Sequence, residues 1–119
     1  SNLNLGIDFN RQKVNNGIEP EQFNEIKNDP DAILIDLREQ IEIDKEGMIK
    51  NSIIVPFPSM YEYLDENKDK LKDKRILFYC AHGHRSTLAV QISKSYNFTN
   101  CCHLIGGLKN WKKEGLGLS

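Results

Sequence analysis

The sequence predicts an α/β domain in three layers, α/β/α, with a central, mainly parallel sheet. Short apolar runs of strand length, Ala32–Asp36, Ser52–Val55, Arg75–Tyr79 and Cys101–Leu104, recur along the chain. Stretches with helical spacing alternate with them, and such alternation implies parallel strands joined by helices that cover both faces of the sheet. The length of 119 residues, with 28% charged residues and a formal net charge of -1, suits one domain. A chain of that size buries about two-thirds of its unfolded surface without disulfides or metals.

Residues 1–17 are polar and Asn-rich, without a sustained period, and read as an N-terminal arm ahead of a domain spanning 18–119. Ile18-Glu19-Pro20 opens a short helix with Phe23 and Ile26 on one face, and Asn28-Asp29-Pro30 stops it. The strand Ala32–Asp36 ends in a carboxylate. Open parallel sheets bind ligands beyond the carboxyl ends of their strands, so Asp36 and Arg38 belong on the functional rim if this strand neighbours Arg75–Tyr79. A structural Asp-Arg pair is the plainer role for these two residues. Glu39–Lys50 reads as a loop with at most a helical turn, and Pro56-Phe57-Pro58 ends the strand at Ser52–Val55. Ser59–Leu71 reads as a helix whose second half is a solvated charged run. Leu88, Ala89 and Ile92 predict a helix from Ser86 onward. After the last strand, Gly106-Gly107 permits a tight turn into a helix over Leu108–Glu114, anchored in the core by Trp111.

The strand Arg75–Tyr79 and the helix from Ser86 are joined by Cys80-Ala81-His82-Gly83-His84-Arg85. A connector of this length, with a glycine near its middle and a helix start after it, can turn its backbone N–H groups inward beneath one atom, the sulfur of Cys80. An ordinary thiol titrates near about 8.5, and only the thiolate is a good nucleophile. A helix N-terminus favours an anion by up to about 2 kcal/mol, and convergent N–H donors and the Arg85 cation act in the same direction. Cys80 is therefore the candidate nucleophile. His82 and His84 are expected at the mouth of the site, attracting an anionic substrate rather than serving as an obligatory base.

Cys80–Ser86 resembles the active-site loop of single-domain rhodaneses, a Cys, four residues and commonly an Arg at a strand-to-helix junction. Leu34–Glu39 with Gly47–Pro56 is similar to that family's upstream segment, and Leu104–Trp111 resembles its closing Gly-Gly helix. Met48 stands where the family commonly has His, and Asn51-Ser52 where it has Gly-Ala. The resemblance implies a rhodanese-like fold and a sulfurtransferase of the thiosulfate type. Cys80 would hold a persulfide, Ala81, His82, Gly83, His84 and Arg85 would bind it, and Asp36 and Arg38 would support them. It implies no cofactor, with small sulfur-containing anions or thiols as partners and a sulfur-acceptor protein as a further partner class.

The alternatives are a non-catalytic binding or regulatory module of the same fold, and a cysteine phosphatase. Phosphatases of similar fold place five residues between Cys and Arg, whereas Ala81–His84 supplies four. The near-neutral charge gives no field for nucleic acid, and no apolar run is long enough for a membrane span. The odd count of 3 cysteines, without a Cys-x-x-Cys, argues against a disulfide framework or a zinc site and suits a reducing, cytoplasmic setting. Cys101 and Cys102 read as core residues. A resolving role for one of them toward Cys80 depends on where the last strand lies.

Overall fold

The computed structural model describes residues 16–118, so residues 1–15 of the expected arm lie outside the described residues. The chain runs β1 (Gly17–Ile18), α1 (Pro20–Ile26), β2 (Ala32–Asp36), α2 (Gln40–Glu46), β3 (Ile53–Ile54), a 3-10 turn (Phe57–Ser59), α3 (Met60–Glu66) and α4 (Lys68–Leu71). It continues through β4 (Arg75–Tyr79), α5 (His84–Ser95), β5 (Cys101–Leu104) and α6 (Gly107–Lys113). The sheet order is β1-β5-β4-β2-β3, and every pairing is parallel. This is the expected α/β architecture.

The period of two along the strands sorts their side chains into two cores. Ile35, Ile76, Phe78 and Cys80 face one layer, with Met60, Leu64, Leu71, Ala89 and Val90 from α3, α4 and α5. Leu34, Leu77 and Tyr79 face the other, with Phe23 of α1 and Leu108 and Trp111 of α6. Fully burying one such side chain contributes about 1.5–3 kcal/mol, so both faces are needed to hold the central strands. Trp111 is the anchor the sequence suggests. It is 1% exposed, stands edge-on to Phe23 at 6.1 Å and donates its indole N–H to the Gly117 carbonyl at 3.0 Å.

The elements differ from the sequence reading in four places. Gly17 and Ile18 add an edge strand, paired with His103 and Leu104, where an arm and a helix start were expected. Residues 40–46 form a complete helix rather than a loop, because Glu39 and Glu42 make a reciprocal capping box and Gly47, at φ 79°, ends it. The helix expected over Ser59–Leu71 is broken at Asn67, which leaves helical geometry at φ -115° and ψ 22° while its side-chain amide joins its own N–H on the Tyr63 carbonyl, at 2.8 and 3.1 Å. Finally, α5 starts at His84 rather than Ser86, which places His84 and Arg85 in its first turn.

Candidate active site

β4 and β2 are neighbours in register, with Asp36 opposite Tyr79, so Asp36 and Arg38 lie on the same rim as Cys80. Cys80 follows β4 directly, and the chain turns at Gly83, which has φ 103° and is the N-cap of α5. That turn points two backbone N–H groups at the Cys80 sulfur, from Gly83 at 3.2 Å and from Ser86 at 3.3 Å. The Ser86 hydroxyl lies 3.6 Å from the same sulfur. Two amides and the first turn of a twelve-residue helix therefore converge on one atom. Such a set stabilises a negative charge on sulfur.

The loop is held from below by the start of α6. Leu108 N–H donates to the Cys80 carbonyl at 2.8 Å, and Lys109 N–H donates to the Ala81 carbonyl at 3.1 Å. Gly107, at φ 64°, sits so close that a Cβ there would lie 2.6 Å from the Cys80 and Ala81 carbonyl oxygens. The Gly-Gly pair thus allows two backbones to touch beneath the cysteine, beyond the tight turn read from sequence.

On the outer side stand two arginine-carboxylate pairs. Asp36 takes the Arg38 guanidinium through Nε at 3.0 Å and Nη2 at 2.7 Å, and Nη2 also reaches the Gly47 carbonyl at 2.7 Å. The Arg38 guanidinium lies 5.7 Å from the centre of the Tyr79 ring. Arg85 makes a two-pronged pair with Glu42, at 2.9 and 2.8 Å. The Arg85 hydrogen bonds hold the Glu42 carboxyl well below its usual range, at about 2. A cleft of about 650 Å³ opens beside the loop, walled by Arg38, Glu42, Ala81 and His82 and by Lys45, Lys109 and Lys113. Lys112, also on its wall, pairs with Glu46.

The upstream loop accommodates its departures from the rhodanese pattern. Asn51 has φ 72°, a conformation Asn tolerates where the pattern has glycine. The Ser52 hydroxyl lies 2.8 Å from the Tyr79 hydroxyl, which also accepts the Ile49 N–H at 3.0 Å.

The structure brings most of the expected site residues together, with corrections. His82 is exposed on the cleft wall, but His84 is exposed on the first turn of α5 and is not among the residues lining the cleft. Arg85 is not a free cation, since Glu42 from α2 takes both prongs of its guanidinium. The sulfur is more enclosed than an open cup. Cys80 is 1% exposed, and Ala81 and His82 rather than Cys80 line the cleft.

Glu42 and the pairing of Ser86 with His103 were not singled out from sequence. The Glu-x-x-Glu spacing of the capping box was the legible signal for Glu42. Burial pushes the Cys101 thiol up to about 11 and the Cys102 thiol up to about 12. Cys101 lies opposite Ile76 and Cys102 opposite Leu77. Those positions are about 13 and 10 Å along the strand from Cys80 at roughly 3.3 Å per residue, beyond disulfide reach. A resolving role for either is thereby ruled out without strand movement. Among the described residues, no three His, Cys, Asp or Glu side chains gather in a metal-holding group.

Solved structures share this architecture. A protein of unknown function from Rhodopseudomonas palustris, called a possible tyrosine phosphatase, superposes with a TM-score of 0.79 at 23% identity, over 91% of this chain and 89% of that one. A thiosulfate sulfurtransferase from Pseudomonas aeruginosa gives a TM-score of 0.72 at 20% identity, over 87% of this chain and 20% of that one. At such identities these two likenesses speak for the fold alone. A rhodanese-related protein from Thermoplasma volcanium is 31% identical over 87% of this chain and 96% of that one, with a TM-score of 0.66. The Rhodanese-like domain family matches residues 19–114, a span that contains the Cys80 loop, the Gly106-Gly107 support beneath it and the Asp36-Arg38 rim, and the chain belongs to that family.

Proposed function

We propose that the chain is a sulfurtransferase that carries a sulfane sulfur on Cys80. The observation that carries this reading is the pair of N–H groups, from Gly83 and Ser86, aimed at the Cys80 sulfur within a four-residue loop. The Cys80 thiolate attacks the outer sulfur of a donor such as thiosulfate. A new S–S bond forms, the donor's S–S bond breaks, and its electron pair leaves on sulfite. The terminal sulfur of the resulting persulfide is then taken by a thiol or cyanide, and Cys80 departs again as thiolate. The kinetics are ping-pong, as for other covalent relays. His82, Lys109 and Lys113 on the cleft wall attract the anionic donor, and a small thiol, a persulfide or an acceptor protein docks from the same side. The free thiols fit a reducing compartment such as the cytoplasm. Among the described residues, no helix is long and apolar enough to cross a membrane.

The enclosure of the sulfur, at 1% exposure, favours a second reading, a binding or regulatory module of the same fold. Phosphate-ester hydrolysis is disfavoured, because four residues, Ala81–His84, separate Cys80 from Arg85 where phosphatases of similar fold place five. Intact mass after mixing with thiosulfate separates these readings. A gain of one sulfur, discharged by cyanide and absent in Cys80→Ala, is expected. An unchanged mass in the native chain overturns the sulfurtransferase reading.

A further inference from the structure

Beside the sulfur, and not among the residues that line the cleft, two polar side chains are sealed into the fold. Ser86 is 0% exposed and His103, on β5, is 5% exposed. Sealed polar groups must satisfy each other, so their hydrogen-bond order can be worked out from the donors each possesses. The Ser86 hydroxyl lies 3.6 Å from Cys80 Sγ and 3.0 Å from His103 Nδ1. His103 Nε2 lies 3.4 Å from Thr87 Oγ1, the weakest link, and Thr87 Oγ1 donates to the Gly83 carbonyl at 2.7 Å. The Ser86 hydroxyl also stands 3.2 Å from that carbonyl, but Thr87 already gives it two donors, its hydroxyl and its N–H at 3.1 Å. Cys80, Ser86, His103, Thr87 and the Gly83 carbonyl thus form a chain in which every link except the last, into the carbonyl, can run in either direction.

Only one direction suits each charge state of the sulfur. With a neutral thiol, Cys80 donates to Ser86, Ser86 to His103 Nδ1, Nε2–H to Thr87, and Thr87 to the Gly83 carbonyl. With an anionic sulfur, the Ser86 hydroxyl must donate to the sulfur. Its oxygen is then free to accept from Nδ1–H, and Nε2 accepts from the Thr87 hydroxyl, which gives up the Gly83 carbonyl and leaves it the Thr87 N–H. The first order holds four mobile protons and the second three, the difference being the proton shed to solvent when the thiol ionises.

We propose that His103 is a positioning residue whose tautomer sets the Ser86 hydroxyl, making it the third donor to an anionic Cys80 sulfur beside the Gly83 and Ser86 amides. The inference rests on the proposed role of Cys80 only in requiring that its thiol ionise, and it needs no sulfur donor. The groups facing the pair do not confuse it. Gly17 of β1, Phe78 of β4 and Ser86 and Thr87 of α5 surround His103 and carry no charge. Arg85 is the cation acting beside Cys80, tied to Glu42 of α2. Burial lowers His103 to about 4, so the ring is neutral and has a single proton to place at neutral pH.

The test is nitrogen-15 NMR of the histidine-labelled chain, read beside the ultraviolet absorbance of the thiolate as pH is raised from about neutral. Burial pushes Cys101 and Cys102 up to about 11 and about 12, and an absorbance rise that is lost in Cys80→Ser is assigned to Cys80. The His103 proton is expected on Nε2 in Cys80→Ser, whose hydroxyl stays neutral, and on Nδ1 in the native chain once the absorbance has risen. Ser86→Ala, which keeps the backbone N–H, is expected to uncouple the tautomer from the absorbance. It is also expected to slow thiol alkylation about tenfold at a fixed pH, the scale of one hydrogen bond to an anion. The same tautomer in Cys80→Ser and in the ionised native chain overturns the proposal, as does an unaltered tautomer response in Ser86→Ala. Loss of sulfur loading with this coupling intact would count against the sulfurtransferase reading alone.

Discussion

Two arginine-carboxylate pairs stand on one rim, and they differ in burial more than in geometry. Both are two-pronged, with contacts between 2.7 and 3.0 Å. Arg38 and Asp36 are 1% and 0% exposed, whereas Arg85 and Glu42 are 31% and 30% exposed. The sealed pair fixes a corner of the backbone, since Arg38 also grips the Gly47 carbonyl that ends α2. The open pair closes the gap between α2 and the first turn of α5 next to Cys80, where water and ions reach it. Similar chemistry is thus architecture in one place and an adjustable part of the site wall in the other.

The sharpest way to break that contrast is Asp36→Asn. It leaves a guanidinium buried without its anion, and removing one partner of a buried pair costs about 3–5 kcal/mol. Denaturant unfolding is expected to show a loss of that size. A loss under about 1 kcal/mol would show that Arg38 reaches water and that the two pairs are alike.

A pH series sharpens the contrast through two groups shifted below their ordinary values. Stability rises with pH wherever the unfolded chain binds more protons than the folded one. His103, lowered from 6.5 to about 4 by burial, contributes fully above 6.5 and loses that contribution as pH falls toward 4. Glu42, lowered from 4.5 to about 2 by Arg85, keeps its contribution down to about 4.5 and loses it only toward 2. The sealed imidazole therefore gives the upper step, on the order of a few kcal/mol. The half-open pair gives the lower and smaller one, since solvent screening holds such pairs below about 1 kcal/mol. In acid unfolding, His103→Asn is expected to flatten the upper step and spare the lower. A native chain with no loss of stability between 6.5 and 4 would contradict the burial of His103.

This difference in burial also marks what could be read from the residues in advance. The strands and their order of alternation were legible because Ile76-Leu77-Phe78-Tyr79 and Ile33-Leu34-Ile35 are continuous apolar runs that only a sheet covered on both faces accommodates. Cys80, Gly83 and the Gly106-Gly107 pair were legible because nucleophile and glycine spacing is local. α2 was missed because its helix depends on a capping box formed by an exposed and a half-buried glutamate rather than on an apolar stripe. Its partnership with Arg85 was missed for a different reason. Glu42 and Arg85 are 43 residues apart and meet only when β2 and β4 pair. The pairing of His103 with Ser86 lay hidden for the same reason, since only the packing of α5 on β5 brings the two together.

The smallest expected effect tests the open pair on its own. In Glu42→Gln the capping box survives, because a Gln carbonyl can still accept the Glu39 N–H that Glu42 takes at 2.8 Å. Stability is therefore expected to change by less than about 1 kcal/mol. What changes is charge. Arg85 loses the carboxylate that offsets it, and the cleft wall shared with Lys45, Lys109 and Lys113 becomes more positive. Loading of Cys80 from thiosulfate is expected to saturate at a lower donor concentration, by about two- to fivefold at low ionic strength, and the gain is expected to fade as salt screens it. A gain that persists in high salt would mean that Glu42 acts by holding Arg85 in its two-pronged pair rather than through its charge on the cleft wall. If saturation is unchanged at every salt concentration, Arg85 does not feel the donor at all, and the open pair is as structural as the sealed one.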